Sequence, residues 1–193
     1  MQYCTLFGMQ TVGIDEVGRG RWAGPLVAGA VMLSDPIIGL RDSKKLSKKR
    51  REALSATVYE QAAAVGLGWV WPAEIDANGL TWAVRTAMER AIAKIAARYD
   101  EIIIDGNINY FAGNPKARAV IRADDTEPSV SAASIVAKVA RDNYMAALGE
   151  SYAGYDFASH VGYGTAAHRA ALQLLGVSDI HRTSYKPIRA LLS

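Results

Sequence analysis

The sequence predicts an α/β protein: a mixed sheet with helices on both faces and a C-terminal helical extension. Three observations carry that expectation. Residues 12–15, 26–33 and 102–104 are short runs of small and branched apolar residues, the length and composition of strands. Segments with a 3.6-residue apolar period separate and follow them. Asp15, Asp105 and Asp124 stand at the ends of strand-like runs, where ligand sites gather in open α/β sheets.

Taken in order, strands at 12–15 and 26–33 are separated by Gly18, Gly20 and Gly24-Pro25, a hairpin-like link longer than a tight turn. Ser47 reads as the N-cap of a helix reaching about residue 60, and 65–71 alternates as a strand does. Leu80, Val84, Ala87, Met88, Ala91, Ile92 and Ile95 then mark one buried helical stripe. Residues 102–104 do not alternate, which suits a strand covered on both faces and ending in Asp105-Gly106. A further strand is expected at 117–122, ending near Asp124. A helix over about 129–148 has Ala132, Ala133, Val136, Ala137 and Ala140 on a close-packing face. Ser131, Ser134, Lys138 and Asp142 form a polar stripe beside it. The chain from Tyr152 is rich in Gly and Tyr before a last helix at 165–175.

The 193 residues fit one domain, residues 1–193, of which roughly 150–193 is the helical extension. Half the chain is apolar and 21% charged, as in a globular protein. A net charge of +3 permits a nucleic-acid partner without demanding one. Cys4 is the only cysteine, which rules out an intramolecular disulfide and a multi-cysteine zinc site. The N-terminus lacks a signal-peptide pattern, and no apolar run approaches the roughly 18 residues of a membrane span. The expectation is a cytoplasmic protein that engages no membrane.

The chemistry concentrates in residues 11–31. Asp15-Glu16 is an acidic pair at a strand end, suited to a hard divalent cation with oxygen ligands. Gly18-Arg19-Gly20 follows, and side-chain-free glycines let a sugar-phosphate come close to the backbone. Adjacent residues of a regular strand point to opposite faces. Asp15 and Glu16 therefore share an ion only if the strand ends or bulges, or if one contributes its carbonyl; Asp15 is taken as the bridging side chain and Glu16 as peripheral. By themselves Asp15 and Asp105 read equally well as turn carboxylates. In the basic cluster Arg41, Lys44, Lys45, Lys48, Lys49, Arg50 and Arg51, Lys44 and Lys45 are the candidates for phosphate contact, and the rest read as a solvated helix face. Tyr163, between two glycines, reads either as a packed loop residue or as a ring under a sugar with its hydroxyl on a 2′-OH. His160, His168 and His181 lack zinc-like spacing and read as structural or backbone-contacting. Asp142, beside Arg141, competes with Asp124 as a ligand but reads first as an ion-pair or hydrogen-bonding residue.

These blocks resemble the signature of type 2 ribonucleases H, specifically bacterial ribonuclease HII. The resemblance runs through Asp15 to Gly20, Asp42-Ser43-Lys44-Lys45-Leu46-Ser47, Glu74-Ile75-Asp76 and Asp105-Gly106-Asn107. It continues through Ala123-Asp124, residues 132–142, Gly162-Tyr163-Gly164-Thr165 with His168, and His181-Arg182-Thr183-Ser184-Tyr185. The resemblance implies a ribonuclease H-like fold with a mixed five-stranded sheet. It implies hydrolysis of the RNA strand of RNA/DNA hybrids and incision 5′ of single ribonucleotides in duplex DNA, leaving 3′-OH and 5′-phosphate ends. The family's metal-site carboxylates map onto Asp15, Glu16, Asp105 and Asp124, for two divalent ions, Mg2+ or Mn2+, with substrate bound. Its Gly-Arg-Gly motif maps onto Gly18, Arg19 and Gly20 and its ribose-sensing tyrosine onto Tyr163; Lys44, Lys45, Ser134 and Lys138 are further substrate-binding candidates, and a monomer is expected. Two positions depart from the pattern: Arg21 stands where many relatives have a small residue or proline, and Asp125 adds a second acid after Asp124. The signature begins at residue 11, so the expectation is the group without the N-terminal domain of ribonuclease HIII.

Two other readings compete. A junction resolvase would share the fold and the metals but not the Gly-Arg-Gly and Tyr163 loops. A non-catalytic nucleic-acid-binding module would have no reason to keep the four carboxylates.

Overall fold

The computed structural model describes residues 9–192, so Cys4 and the expectations about the N-terminus lie outside the described residues. The strands are β1 (Thr11–Val17), β2 (Leu26–Leu33), β3 (Ala62–Val70), β4 (Glu101–Asp105) and β5 (Ala117–Val120). They form one mixed sheet in the order β3-β2-β1-β4-β5. β1, β2 and β3 pair antiparallel, while β4 joins β1 and β5 joins β4 in parallel.

Helices cover both faces. The periodic stripe of α3 (Leu80–Ile92) packs Val84, Ala87, Met88 and Ala91 on Val12, Ile14, Ala28, Ala30, Ile102 and Ile104. On the other face α1 (Lys48–Gln61) and α5 (Pro128–Ser151) bring Leu54, Val58, Ala132, Ala133 and Val136 onto Val31. Ile103 turns to that second face and meets Ala123 and Val130, so β4 is apolar throughout because both its sides are covered. The small residues have a direct use. A Cβ on Gly29 would fall 2.4 Å from the Ala133 carbonyl oxygen, and one on Gly68 1.9 Å from that of Ala87. Only glycine lets the α5 and α3 backbones lie this close to the sheet.

Ser47 caps α1 by accepting from the Arg50 amide, as expected. The other bounds differ by a few residues, because end residues carry little periodic signal. β3 ends at Val70, and Trp71 instead precedes α2 (Pro72–Asn78). Beyond α5 stand α6 (Phe157–His160), α7 (Ala166–Leu175) and α8 (Lys186–Arg189). α6 and α8 were not expected; a single turn is too short to show a period. Met145, Phe157, Leu172 and Ile188 join these helices to Ala23, next to the Gly18–Gly20 segment. Asp76 of α2 accepts from the amides and hydroxyls of both Thr183 and Ser184, at 2.6–3.0 Å, and so anchors the C-terminal segment.

Candidate active site

The parallel ladder between β1 and β4 ends at the pair Ile14 and Ile104. The next residue on each strand is an aspartate, so Asp15 and Asp105 stand side by side just beyond the parallel ladder, with Asp105 at the carboxyl end of β4. β1 continues regularly, pairing Asp15 with Gly29, Glu16 with Ala28 and Val17 with Val27. The strand thus neither ends nor bulges at the acidic pair. Asp15 lies on the α5 face with Gly13 and receives a Ser134 hydrogen bond, whereas alternation places Glu16 on the other face. Both nevertheless border one cavity of about 280 Å³, because it opens beyond the end of the ladder. Glu16 is held by Arg19 at 3.1 Å.

Asp124 lies not at a strand end but in the single turn α4 (Ala123–Thr126), reached through a left-handed Arg122 (φ 59°). That turn points the Ala123 amide at Asp105, whose Oδ1 accepts from it at 2.8 Å. Asp124 therefore neighbours Asp105 without bordering the cavity itself. Lys44 Nζ lies 3.9 Å from Asp124 and is attracted by Asp105 from further off.

Negative charge is crowded here. Burial, then Glu16 and Asp105, hold Asp15 well above the usual carboxylate range. Burial and Asp105 also raise Asp124, against Lys44. Burial raises Glu16 in spite of Arg19. The chain's own cations leave this charge under-compensated, and all donors are hard carboxylate oxygens, the set that magnesium and manganese take. Among the described residues no group of three or more His, Cys, Asp or Glu is arranged to hold a metal ion by itself. A site of one or two carboxylates completed by substrate phosphate fits magnesium, which keeps much of its water.

The Gly18–Pro25 segment is gripped from behind by two fully buried arginines. Arg182 donates to the carbonyls of Gly18, Arg19 and Gly24 at 2.6–3.1 Å. Arg141 donates to Ala23, Pro25 and Val161. Neither role has a local sequence signal, since the partners lie more than a hundred residues away in all but one case. The two flanking glycines differ. Gly18 has φ 102°, and a Cβ there would meet Arg141 at 2.7 Å and the Pro25 oxygen at 2.9 Å, so the fold itself needs it. At Gly20 a Cβ would meet nothing within 4 Å, and φ lies outside the left-handed region. Gly20→Ala is therefore expected to leave stability within about 0.5 kcal/mol yet weaken binding of a nucleic-acid duplex. Urea melts and a binding titration check this; unchanged binding would mean that no ligand approaches there.

Tyr163 also lines the cavity and is half exposed, with Arg21 over one ring face. Its carbonyl is fixed by a histidine chain. The Ser178 amide donates to His181 Nδ1, His181 Nε2 to His168 Nε2, and His168 Nδ1 to the Tyr163 carbonyl, at 2.8–3.0 Å. These partners set both tautomers. Burial, helped by His160 and His181, pushes His168 down to about 4, so it stays neutral near pH 7. His160 bonds the Tyr155 carbonyl and the Gly162 amide. All three histidines serve main chain, as expected.

The cavity is bordered by every candidate residue except Asp124 and Lys45. Lys45 pairs with Asp125, the extra acid noted in the sequence, at 2.6 and 2.8 Å. Ser134 bonds Ser43 at 2.9 Å. Asp142 pairs with Lys138, at 2.5 and 2.7 Å, rather than with Arg141. Lys138 is thereby held beside Tyr163.

The family model described as Ribonuclease HII matches residues 12–188. A Ribonuclease HII from Halorhodospira halophila is 47% identical over 183 residues, covering 94% of each chain. Among solved structures, the ribonuclease H2 from Pyrococcus horikoshii OT3 superposes with a TM-score of 0.80 at 26% identity, over 95% of this chain and 97% of that one. Bst-RNase HIII in complex with Mn2+ shares the fold, with a TM-score of 0.72 at 20% identity, over 97% of this chain and 70% of that one.

Proposed function

The chain belongs to the ribonuclease HII family, an endoribonuclease acting on RNA/DNA, and on that premise we propose that it incises duplex DNA 5′ of single embedded ribonucleotides and cuts the RNA strand of hybrids. The products are 3′-OH and 5′-phosphate ends, and residues 1–193 act as one catalytic domain. The observation that carries this reading is the single cavity. Asp15, Glu16 and Asp105 line it together with Gly18–Gly20 and Tyr163.

Asp15, Glu16, Asp105 and Asp124 would hold two divalent ions, Mg2+ or Mn2+. When bound, such ions stabilise charge on the attacking and leaving oxygens of a phosphodiester. The Mn2+ complex of a protein of the same fold supports the choice of ions. The chain's own side chains do the remaining work. Arg19 keeps Glu16 oriented, and Lys44 limits repulsion between Asp105 and Asp124. The backbone of Gly18–Gly20, backed by Arg182, meets the sugar-phosphate without side chains in the way. Lys138, held by Asp142, offers positive charge to the backbone without reading sequence.

The test is cleavage of a duplex carrying one ribonucleotide, with Mg2+ or Mn2+ and with chelator, mapped at nucleotide resolution. A single metal-dependent cut 5′ of the ribonucleotide is expected. A cut 3′ of it, or a 2′,3′-cyclic phosphate end, would overturn the reading.

Tyr163 is read as stacking under the sugar while its hydroxyl meets the 2′-OH. Tyr163→Phe should cost one hydrogen bond, about 0.5–1.5 kcal/mol in kcat/KM. Tyr163→Ala also removes the stacking surface, for about 1–3 kcal/mol by analogy with base–aromatic stacking. The loss should be larger on the single ribonucleotide than on continuous hybrid, where neighbouring ribonucleotides offer other registers. Both variants are assayed on both substrates; equal losses on the two would make Tyr163 a packing residue only.

A further inference from the structure

Arg21 has no task in the reading above, yet it borders the cavity between Gly20 and Tyr163. Its side chain is only 3% exposed, and its Nη1 is enclosed with no hydrogen-bond partner, the only such buried side-chain atom among the described residues. Its guanidinium carbon lies over the Tyr163 ring. Its electrostatic surroundings are poor. No acidic side chain among the described residues lies within ion-pairing distance of it, and Asp142, which attracts it from further off, is already bonded to Lys138. Arg182 repels it, as does Arg141, each committed to carbonyls. Burial pushes Arg21 down to about 10, which leaves it charged near pH 7.

A buried cation without an anion is costly, and an unpaired buried donor calls for a reason. Nη1 itself is closed off, so a ligand can reach the guanidinium only from the cavity that Arg21 borders. The missing partner must be anionic, must accept from a planar guanidinium, and must enter beside the sugar that Tyr163 receives; a phosphodiester oxygen meets all three conditions. We propose that Arg21 receives a phosphodiester oxygen of the nucleotide whose sugar lies on Tyr163, and that by covering one face of that ring it leaves a single face for the sugar. The inference rests on the reading of Tyr163 as the ribose platform. It makes Arg21 a binding residue of the Gly18–Pro25 segment.

The test measures equilibrium binding by fluorescence anisotropy in metal-free buffer with EDTA, over a series of salt concentrations. The probes are a duplex with one ribonucleotide and the same duplex in all DNA. Arg21→Met keeps the length and removes the charge; it should weaken binding to the ribonucleotide duplex about tenfold and lower the slope of log Kd against log salt by about one. Its Tm should equal or exceed that of the parent, because an unpaired buried charge is lost. Arg21→Lys should keep the parent's salt slope but not its affinity, since an ammonium does not cover the ring. Parent-like affinity and slope in Arg21→Met would overturn the proposal. So would a lowered Tm or failure to fold, which would make Arg21 a structural residue. A parent chain that binds both duplexes equally would refute the ribose platform instead, while the salt slope still reports on Arg21.

Discussion

Asp105→Asn is expected to abolish most cleavage while leaving the fold and duplex binding in place. Asp105 ends β4 next to Asp15, and its charge raises both Asp15 and Asp124. The asparagine amide is neutral and a weaker ligand for a hard cation, so the cation-binding capacity of the group falls. A loss of about 10²–10³-fold in kcat matches the removal of one preorganised electrostatic contribution to a transition state. Structure should survive for a specific reason: the one structural bond of the side chain is acceptance of the Ala123 amide by Oδ1, which an asparagine oxygen also makes. Removing a like charge from the cluster also relieves repulsion, so the Tm should stay level or rise. Cleavage rates, melts and binding in EDTA are measured together. Near-normal activity would remove Asp105 from the metal site, and collapse of the fold would make it structural.

The chain made some of this architecture legible and concealed the rest, for physical reasons. Periodicity revealed α3 and α5 because each buries a long stripe, and the unalternating run of β4 revealed a strand covered on two sides. Asp15 and Asp105 were legible because each ends an apolar run. Asp124 was placed on the right block but the wrong element, since a left-handed Arg122 followed by one helical turn leaves no periodic trace. The ion pair of Lys45 leaves no sequence trace, because a basic cluster looks alike whether its members face solvent or a partner 80 residues away such as Asp125. Arg141 and Arg182 were visible only as letters in matching blocks. Their use, gripping carbonyls across the molecule, follows from the loops they hold, and a carbonyl carries no residue signature.

Arg182→Met is expected to destabilise the protein by about 2–4 kcal/mol and to reduce cleavage with it. The side chain is fully buried, and its guanidinium bonds three main-chain carbonyls and the Tyr185 hydroxyl. Methionine fills much of the same space but leaves the Gly18 and Gly24 carbonyls without their charged donors. An unsatisfied buried acceptor costs about 1–3 kcal/mol. Relief of the buried charge offsets part of that, since burial already disfavours the cation. The Arg19 carbonyl still receives the Tyr185 hydroxyl, so the segment loosens rather than detaches. Arg182→Lys should recover little, because one ammonium cannot span carbonyls that a planar fork reaches together. Urea midpoints give the stability change, and cleavage of the single-ribonucleotide duplex gives the functional one. A change in stability within about 0.5 kcal/mol would show that the carbonyls find other donors and that the loop needs no clamp. The contrast with Arg21 is the sharper test. Two buried arginines, Arg21 in the Gly18–Pro25 segment and Arg182 behind it, should respond oppositely to the same substitution, since Arg182 has its acceptors in the folded chain and Arg21 is proposed to take one from outside.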